Sequence, residues 1–258
     1  RVNKPALGSL KMQGKELPVT GEIRLDASGQ AQITYHPPAY LQDAQLTEPL
    51  PLAAGADAGA TTWGAVVPLN FTVTDASGKT NTFPIEIRVY RPPVILVHGF
   101  LGATDTWAKL ASHLRNHRFD ARLGEFYAGD ESIEAQSLKL AQDTGELTME
   151  YASHGAKLSK LDAIGHSMGG LIARHYVKGS GGYQGDVRKL IMVGTPNHGV
   201  GWMRKKVGEW YAGWEGKHQR AAAQLDERSP FIVRLNQGEE IGAHLDMNVQ
   251  YGNIYGFA

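Results

Sequence analysis

The segment that most constrains this chain is the pentapeptide Gly165-His166-Ser167-Met168-Gly169. It follows residues 161–165, which are mostly apolar and predict a buried strand, and precedes a helical run at residues 171–177. Where a strand passes directly into a helix, neighbouring backbones come very close, and glycine tolerates that approach. Such a turn holds the hydroxyl of Ser167 at the carboxyl edge of a sheet, where a base can activate it as a nucleophile. An ordinary glycine-rich turn is the alternative interpretation.

From residue 92 onward, short apolar runs alternate with helical periodicity. The run Val-Ile-Leu-Val at residues 94–97 is typical of a parallel strand buried on both faces, and residues 190–194 predict another strand. Helices are predicted at residues 106–117 and 132–154. Their predicted inner faces are Trp107, Leu110, Ala111 and Leu114 in the first helix, and Leu138, Ala141 and Leu147 in the second. This alternation predicts an α/β fold with helices on both sides of a mostly parallel sheet.

The first ninety residues predict a small all-β module instead. Short β-branched or alternating runs predict its strands, and residues 49–64, rich in Ala, Gly and Pro, predict a loop. The predicted strands are residues 22–25, 31–35, 67–74 and 83–90. The sequence Asp-Ala-Ser-Gly occurs at residues 26–29 and 75–78 and predicts two hairpin turns, either from an internal repeat or because both hairpins use a favourable turn.

The two parts meet at Arg91-Pro92-Pro93, where two prolines remove two backbone donors and stiffen the chain. Residues 66–90 resemble the last hairpin of bacterial immunoglobulin-like modules in turn and strand pattern. We therefore predict an immunoglobulin-like β module over residues 1–91 and an α/β domain over residues 92–258.

A second chemical element follows the strand at residues 94–97. His98-Gly99-Phe100 lies about seventy residues before Ser167. Acyl transfer places negative charge on a carbonyl oxygen, which backbone N–H groups stabilise. We expect the amides of Phe100 and Met168 to form this oxyanion hole, supported by His98, Gly99, Gly165, His166 and Gly169.

Together with a third segment, Gly194-Thr195-Pro196-Asn197-His198-Gly199, these motifs resemble the α/β-hydrolase lipases of bacteria. The third segment resembles their Gly-Thr-Pro-His-x-Gly signature, except that Asn197 takes the place of the histidine and His198 follows it. The resemblance covers residues 92–258 and implies an α/β-hydrolase fold, C-terminally incomplete, with lipase or carboxylesterase activity through an acyl-enzyme on Ser167. An acyltransferase, or a non-catalytic surface protein with an incomplete triad, remains an alternative.

The catalytic acid and base are not evident in the sequence. In the family the acid follows the seventh strand, which residues 250–256 predict, and the segment Thr195-Pro196-Asn197 offers no carboxylate. We therefore expect the Asp and His beyond Ala258. None of His175, His198, His218 and His244 is expected to be the base, and Asp246 precedes the last strand and lies at the wrong edge.

An amphipathic segment follows the third motif. Trp202, Trp210, Tyr211 and Trp214 share a predicted helical face within residues 201–218, opposite several basic residues. The resemblance places a lid over the acyl pocket within residues 200–246, and a fixed cap helix on the core would show the same pattern.

Composition excludes several classes of protein. Lys plus Arg and Asp plus Glu both number 26, so no net field favours nucleic acid, and the absence of cysteine excludes thiol chemistry and disulfides. No cluster has metal-ligand spacing, and no apolar run is long enough to span a membrane. We expect no metal, no cofactor, no nucleic acid and no transmembrane segment. The expected partner is an ester or lipid substrate, the expected location is secreted or cell-surface, and the oligomeric state is undetermined.

Overall fold

The structure is a computed structural model. It describes residues 7–18, 22–51, 61–75, 77–100, 102–124, 131–179, 182–201, 219–237 and 246–256. By Cα proximity these residues fall into two compact units, and the boundary lies between Arg91 and Pro92.

The N-terminal unit contains two antiparallel sheets of three strands each, in the orders β2-β1-β3 and β4-β5-β6. Its apolar cluster contains Leu41, Leu46 and Ala65, with Trp63 and Val89 packed against it. The strands are β1 (Ser9–Met12), β2 (Lys15–Glu16), β3 (Thr34–His36), β4 (Glu48–Pro51), β5 (Thr61–Thr74) and β6 (Thr80–Tyr90), with a 3-10 turn at Asp43–Gln45. The immunoglobulin-like character of this module stays a prediction.

Strands β5 and β6 form one long hairpin, paired from Gly64 with Tyr90 to Thr74 with Thr80. In the turn between them, the carboxylate of Asp75 accepts hydrogen bonds from the amides of Ser77 and Lys79, at 2.9 and 3.0 Å. The hairpin turn predicted at residues 75–78 is therefore confirmed.

The same sequence at residues 26–29 forms the same local bonds, with the Asp26 carboxylate 2.9 Å from the amides of Ser28 and Gln30. However, the strand predicted at residues 22–25 is wrong, because that segment pairs with no other strand among the described residues, and residues 31–33 also lie outside β3. The turn closes through a backbone bond from Asp26 to Gln30 rather than through a strand pair.

The loop predicted at residues 49–64 is also wrong at both of its ends. Leu50 pairs with Thr62 and Glu48 with Gly64, so β4 and the start of β5 occupy much of that range. Backbone pairing between the two strands outweighs the loop-like Ala, Gly and Pro composition, because ladder formation depends on a partner that lies at a distance in the sequence.

The second unit contains one parallel sheet of five strands in the order β11-β10-β9-β7-β8. Its strands are β7 (Val94–Val97), β8 (Ala121–Leu123), β9 (Leu161–His166), β10 (Val187–Val193) and β11 (Gln250–Ile254). Its helices are α1 (Ala108–Asn116), preceded by a 3-10 turn at Thr104–Trp107, α2 (Ile133–Ser153), α3 (Met168–Val177), α4 (Gln219–Gln224) and α5 (Pro230–Asn236). The predicted α/β fold with a parallel sheet is confirmed.

Strand β7 shows why helices cover both faces of this sheet. Val94 and Leu96 lie in the apolar cluster that contains Trp107 and Ala111 of the α1 region. Ile95 and Val97 lie in the larger cluster with α2, α3 and α5. Alternate residues of the strand thus feed two separate cores, as its uninterrupted apolar sequence predicts.

Helix α2 is one continuous helix, although its inner face differs from the predicted one. Ser132 caps its first turn by accepting a hydrogen bond from Ala135 at 3.1 Å. Leu138 is 56% exposed, so its predicted inward position is wrong. The buried face instead contains Ile133, Gln136, Ser137, Leu140, Thr144, Leu147 and Tyr151. Leu138 is two residues from both Gln136 and Leu140, which turns it to the opposite side of the helix.

In the ranges that the structure describes, no helix is both long and apolar enough to cross a membrane.

Candidate active site

Ser167 joins the central strand β9 to helix α3 in a backbone conformation that is unusual for a residue with a side chain. Its φ is 52° and its ψ is −124°. Its amide donates to the carbonyl of Val193 in β10 at 2.9 Å, which fixes it at the carboxyl edge of the sheet. The residue is half-buried.

Glycines let the backbone approach closely around this turn. A methyl group at Gly165 would lie 2.5 Å from the amide nitrogen of Gly170 and 2.6 Å from its Cα. A methyl group at Gly169 would lie 2.5 Å from the carbonyl oxygen of His98, and it would also collide with that of Val97. No larger residue fits either position without movement of the backbone.

The loop after β7 lies directly against the Ser167 turn. A methyl group at Gly99 would be 2.8 Å from Cβ of Ser167 and 2.9 Å from the carbonyl oxygen of His166. His98 is buried, with its Nδ1 3.0 Å from the carbonyl oxygen of Gly99. The amide of Gly102 donates to the same carbonyl at 2.9 Å and closes the loop. The structure thus brings residues 98–100 and 165–170 together.

The third motif packs on the start of α3 from the other side. The amide of Gly194 donates to Ile254 at 2.8 Å, and the side chain of Thr195 lies over Gly170, where a methyl group would be 2.8 Å from its Cβ. The Thr195 hydroxyl is buried and has no hydrogen-bond partner in the described structure. His198 is exposed and lines a surface cavity of about 440 Å³ with Glu227 and Asn236.

Residues 92–229 match the family described as the alpha/beta hydrolase fold. The chain belongs to this family. Among solved structures, the phospholipase PlaB from Legionella pneumophila is 20% identical with a TM-score of 0.50, and the alignment covers 63% of this chain and 38% of PlaB. Lipase B from Aspergillus fumigatus is 19% identical with a TM-score of 0.41, over 57% of this chain and 34% of the lipase.

A thermophilic esterase from Thermogutta terrifontis is 20% identical with a TM-score of 0.36, over 66% of this chain and 55% of the esterase. This hydrolase-fold chain therefore spans less than two thirds of each of these three proteins. No curated protein sequence matches it significantly.

One contact in this hydrolase-fold site is not evident from sequence. The rings of His166 and Trp107 meet edge to face, with centroids 6.1 Å apart and an interplanar angle of 87°. Trp107 is buried, and its indole N–H has no hydrogen-bond partner in the described residues. The apolar stripe predicted for residues 106–117 indicates only that Trp107 faces the core. Periodicity does not show that the ring of His166 lies against it.

The histidines considered as catalytic bases are only partly covered by the described residues. His175 lies in α3 and packs on Phe231 of α5, with ring centroids 5.6 Å apart. Burial lowers the pKa of His175 below its ordinary 6.5, and the nearby carboxylate of Glu134 partly opposes this effect. No hydrogen bond joins the Ser167 hydroxyl to an imidazole in the residues that are described. His218 and His244 lie outside the described residues.

The remaining predicted site residues are the lid candidates and Asp246. Trp202, Trp210, Tyr211 and Trp214, the lid candidates, lie outside the described residues. Asp246 begins the turn before β11 and accepts a hydrogen bond from the amide of Asn248 at 2.8 Å, at the amino edge of the sheet and away from Ser167. In the described ranges, no group of three histidine or carboxylate side chains is placed to bind a metal ion.

Proposed function

We propose that this chain carries the nucleophile of a serine-dependent carboxylic ester hydrolase, and that Ser167 is that nucleophile. The observation that carries the proposal is the conformation of Ser167, a non-glycine residue at φ 52° between the central strand and α3. Such backbone strain costs about 1–3 kcal/mol and is found mainly at functional sites. Ser167 is half-buried and lies at the sheet edge where ligands of open α/β sheets bind.

The proposed oxyanion hole consists of the backbone amides of Phe100 and Met168. Met168 is the first residue of α3, where amide groups have no partner within the helix and the helix dipole favours negative charge. Gly99 supports the role of Phe100, because its close approach to Ser167 holds the loop beside the nucleophile. Donors fixed in this way lower the barrier for acyl transfer because they need no reorganisation.

In the proposed reaction, Oγ of Ser167 attacks the carbonyl carbon of an ester, and its proton passes to a base. The tetrahedral oxyanion then collapses, and the alcohol leaves with a proton, which produces an acyl-enzyme. Water hydrolyses this ester, which releases the acid and restores the serine. The base and its supporting acid are not assigned to any described residue. The lipase-like segment at residues 194–199 favours lipid esters as the substrate class.

The test is covalent labelling of the full-length protein with a fluorophosphonate probe, followed by peptide mapping. We expect labelling of the wild type, no labelling of Ser167→Ala, and normal labelling of Ser137→Ala, whose hydroxyl is buried in α2. An unlabelled wild type would contradict the proposal and favour a non-catalytic binding protein with a hydrolase fold.

Hydrolase and acyltransferase activity would share Ser167 and both amides. Incubation of the unlabelled wild-type protein with an ester substrate, in water and in water with an added alcohol, separates them. Free acid as the main product in both media supports the hydrolase, and transfer of the acyl group to the alcohol in place of hydrolysis contradicts it.

A further inference from the structure

A buried arginine joins three elements around the proposed active site. Arg174 lies in α3, seven residues after Ser167, and is 6% exposed. Its guanidinium donates to the backbone carbonyl and the side-chain oxygen of Asn197, both at 3.2 Å, and to the side-chain oxygen of Asn236 at 2.6 Å. Asn236 in turn donates to the carbonyl of Asn197 at 3.0 Å. We call these three residues the Arg174 network.

The Arg174 network fixes the loop that follows β10. Asn197 is its member in this loop, and the amide of Asn197 donates to the carbonyl of Thr195 at 2.9 Å. The other end of the loop is held by the bond from Gly194 to Ile254. Between these two anchors, Thr195 packs on Gly170, three residues after Ser167. Thr195 thus lies between Gly170 and a loop residue that is bonded to Arg174, about one turn further along α3 than Gly170.

The chemistry of the network requires arginine. A guanidinium has a planar, rigid set of donors that reaches two residues at once, whereas a lysine ammonium is a point charge on a flexible stem. Buried hydrogen bonds to a charged group are stronger than neutral ones, so the loop is held firmly. In the sequence, Arg174 is a charged residue that directly follows the apolar run Leu171-Ile172-Ala173.

We propose that Arg174 is a positioning residue for Ser167. Through Asn197 and Thr195 it clamps the start of α3, and this contact sets the orientation of the Ser167 hydroxyl relative to the amide of Met168. The inference rests on the proposed function, since it concerns the reactivity of the same serine. A positioning residue of this kind acts on the rate of the chemical step more than on the affinity for the reagent.

The test is the rate of fluorophosphonate labelling of Ser167, resolved into the affinity for the probe and the maximal rate constant, and corrected for the folded fraction. We expect Arg174→Gln to lower the maximal rate constant by about tenfold and to leave the affinity nearly unchanged. Asn236→Ala should produce a smaller decrease of the same kind. The double variant should be no slower than Arg174→Gln alone, because both changes disable one network.

Arg188→Gln is the matched control. Arg188 donates to both carboxylate oxygens of Asp162, at 2.9 and 2.6 Å, but these residues lie at the amino ends of β10 and β9, away from Ser167. We expect this variant to be less stable and to label at the wild-type rate once the folded fraction is corrected.

Three results would overturn the inference. The first is wild-type labelling by Arg174→Gln, or by Asn236→Ala if Arg174→Gln does not fold. The second is an equal decrease in Arg188→Gln, which would make the effect one of general stability. The third is an unlabelled wild type, which contradicts the proposed function as well and is therefore distinguishable from the other two.

Discussion

Two tight turns in this molecule are stabilised in different ways. The hairpin turn at residues 75–79 is exposed, and the amides two and four residues after Asp75 donate hydrogen bonds to its carboxylate. The Ser167 turn is surrounded by backbone from β7, β10 and α3. A methyl group on Gly78 would meet nothing within 4 Å, whereas one on Gly165 or Gly169 would collide with backbone atoms. The first turn is specified locally and the second by tertiary packing.

The repeated Asp-Ala-Ser-Gly sequence supports this contrast. At residues 26–30 it forms the same side-chain bonds as at residues 75–79, although only the second copy connects two paired strands. Local chemistry is sufficient for such a turn. The conformation of Ser167 has no comparable local support, so it should be lost when its surroundings are changed.

The largest expected effect is that of Gly169→Ala. The added methyl group would lie within 2.5 Å of the carbonyl oxygen of His98, so β7 or α3 must shift. We expect a loss of about 3 kcal/mol in the free energy of unfolding, measured by urea denaturation. The extent of fluorophosphonate labelling of Ser167 should decrease as well.

Gly145→Ala is the control for that substitution. Gly145 lies within α2, where an added methyl group meets nothing within 4 Å, so alanine should stabilise the helix by about 0.5–1 kcal/mol. If Gly169→Ala were as stable as the wild type, the Ser167 turn would not be held by packing.

Gly78→Ala should have a smaller effect that is confined to the N-terminal unit. Gly78 has φ +85°, a conformation that costs an L-residue about 1 kcal/mol, but there is no clash. Hydrogen exchange should increase in β5 and β6 and stay unchanged in β9 and α3. Gly78→Asn should cost less, since asparagine tolerates positive φ better than alanine. Faster exchange around Ser167 would show that the two turns are not independent.

Lowering the pH should reduce the stability of the two regions in different pH ranges, and this is the smallest of the expected effects. Burial lowers the pKa of His175 below 6.5, so the unfolded chain binds the proton more readily and stability falls as pH falls below about 6.5. The hydroxyl of Ser77 and the turn amides lower the pKa of Asp75 below 3.8, so the stability from this group is present above about 3.8 and lost only at lower pH.

The measurement is the melting temperature between about pH 7.5 and pH 5.5. We expect His175→Gln to reduce its dependence on pH in this range, and Asp75→Asn to leave that dependence as in the wild type. An unchanged pH dependence in His175→Gln would show that burial does not disfavour the charged imidazole.

The sequence predicts the parts of this fold whose signals are local and strong. Residues 94–97 and 161–165 are apolar or mostly apolar and match buried strands, and the helix predicted at residues 132–154 matches α2. Predictions were wrong where a distant partner decides the outcome. Residues 61–64 pair with β4 despite a loop-like composition, and Leu138 is exposed because the packing of α2 selects a different face.

In the candidate site, too, local motifs can be predicted from the sequence, whereas contacts between distant residues cannot. The motif around Ser167 and the loop at residues 98–100 can be found from sequence, since each follows a recognisable strand. The contact of His166 with Trp107 and the Arg174 network join residues that are far apart in the chain. Only an isolated charge in an apolar helix indicates the second of these, and it does not identify Asn197 or Asn236 as its partners.

The most direct test of this account is a crystal structure of the full-length protein after reaction with a fluorophosphonate. We expect a bond between phosphorus and Oγ of Ser167, with the phosphonyl oxygen about 2.7–3.1 Å from the amides of Phe100 and Met168. A phosphonate on another serine, or on Ser167 with its oxygen directed away from both amides, would contradict it.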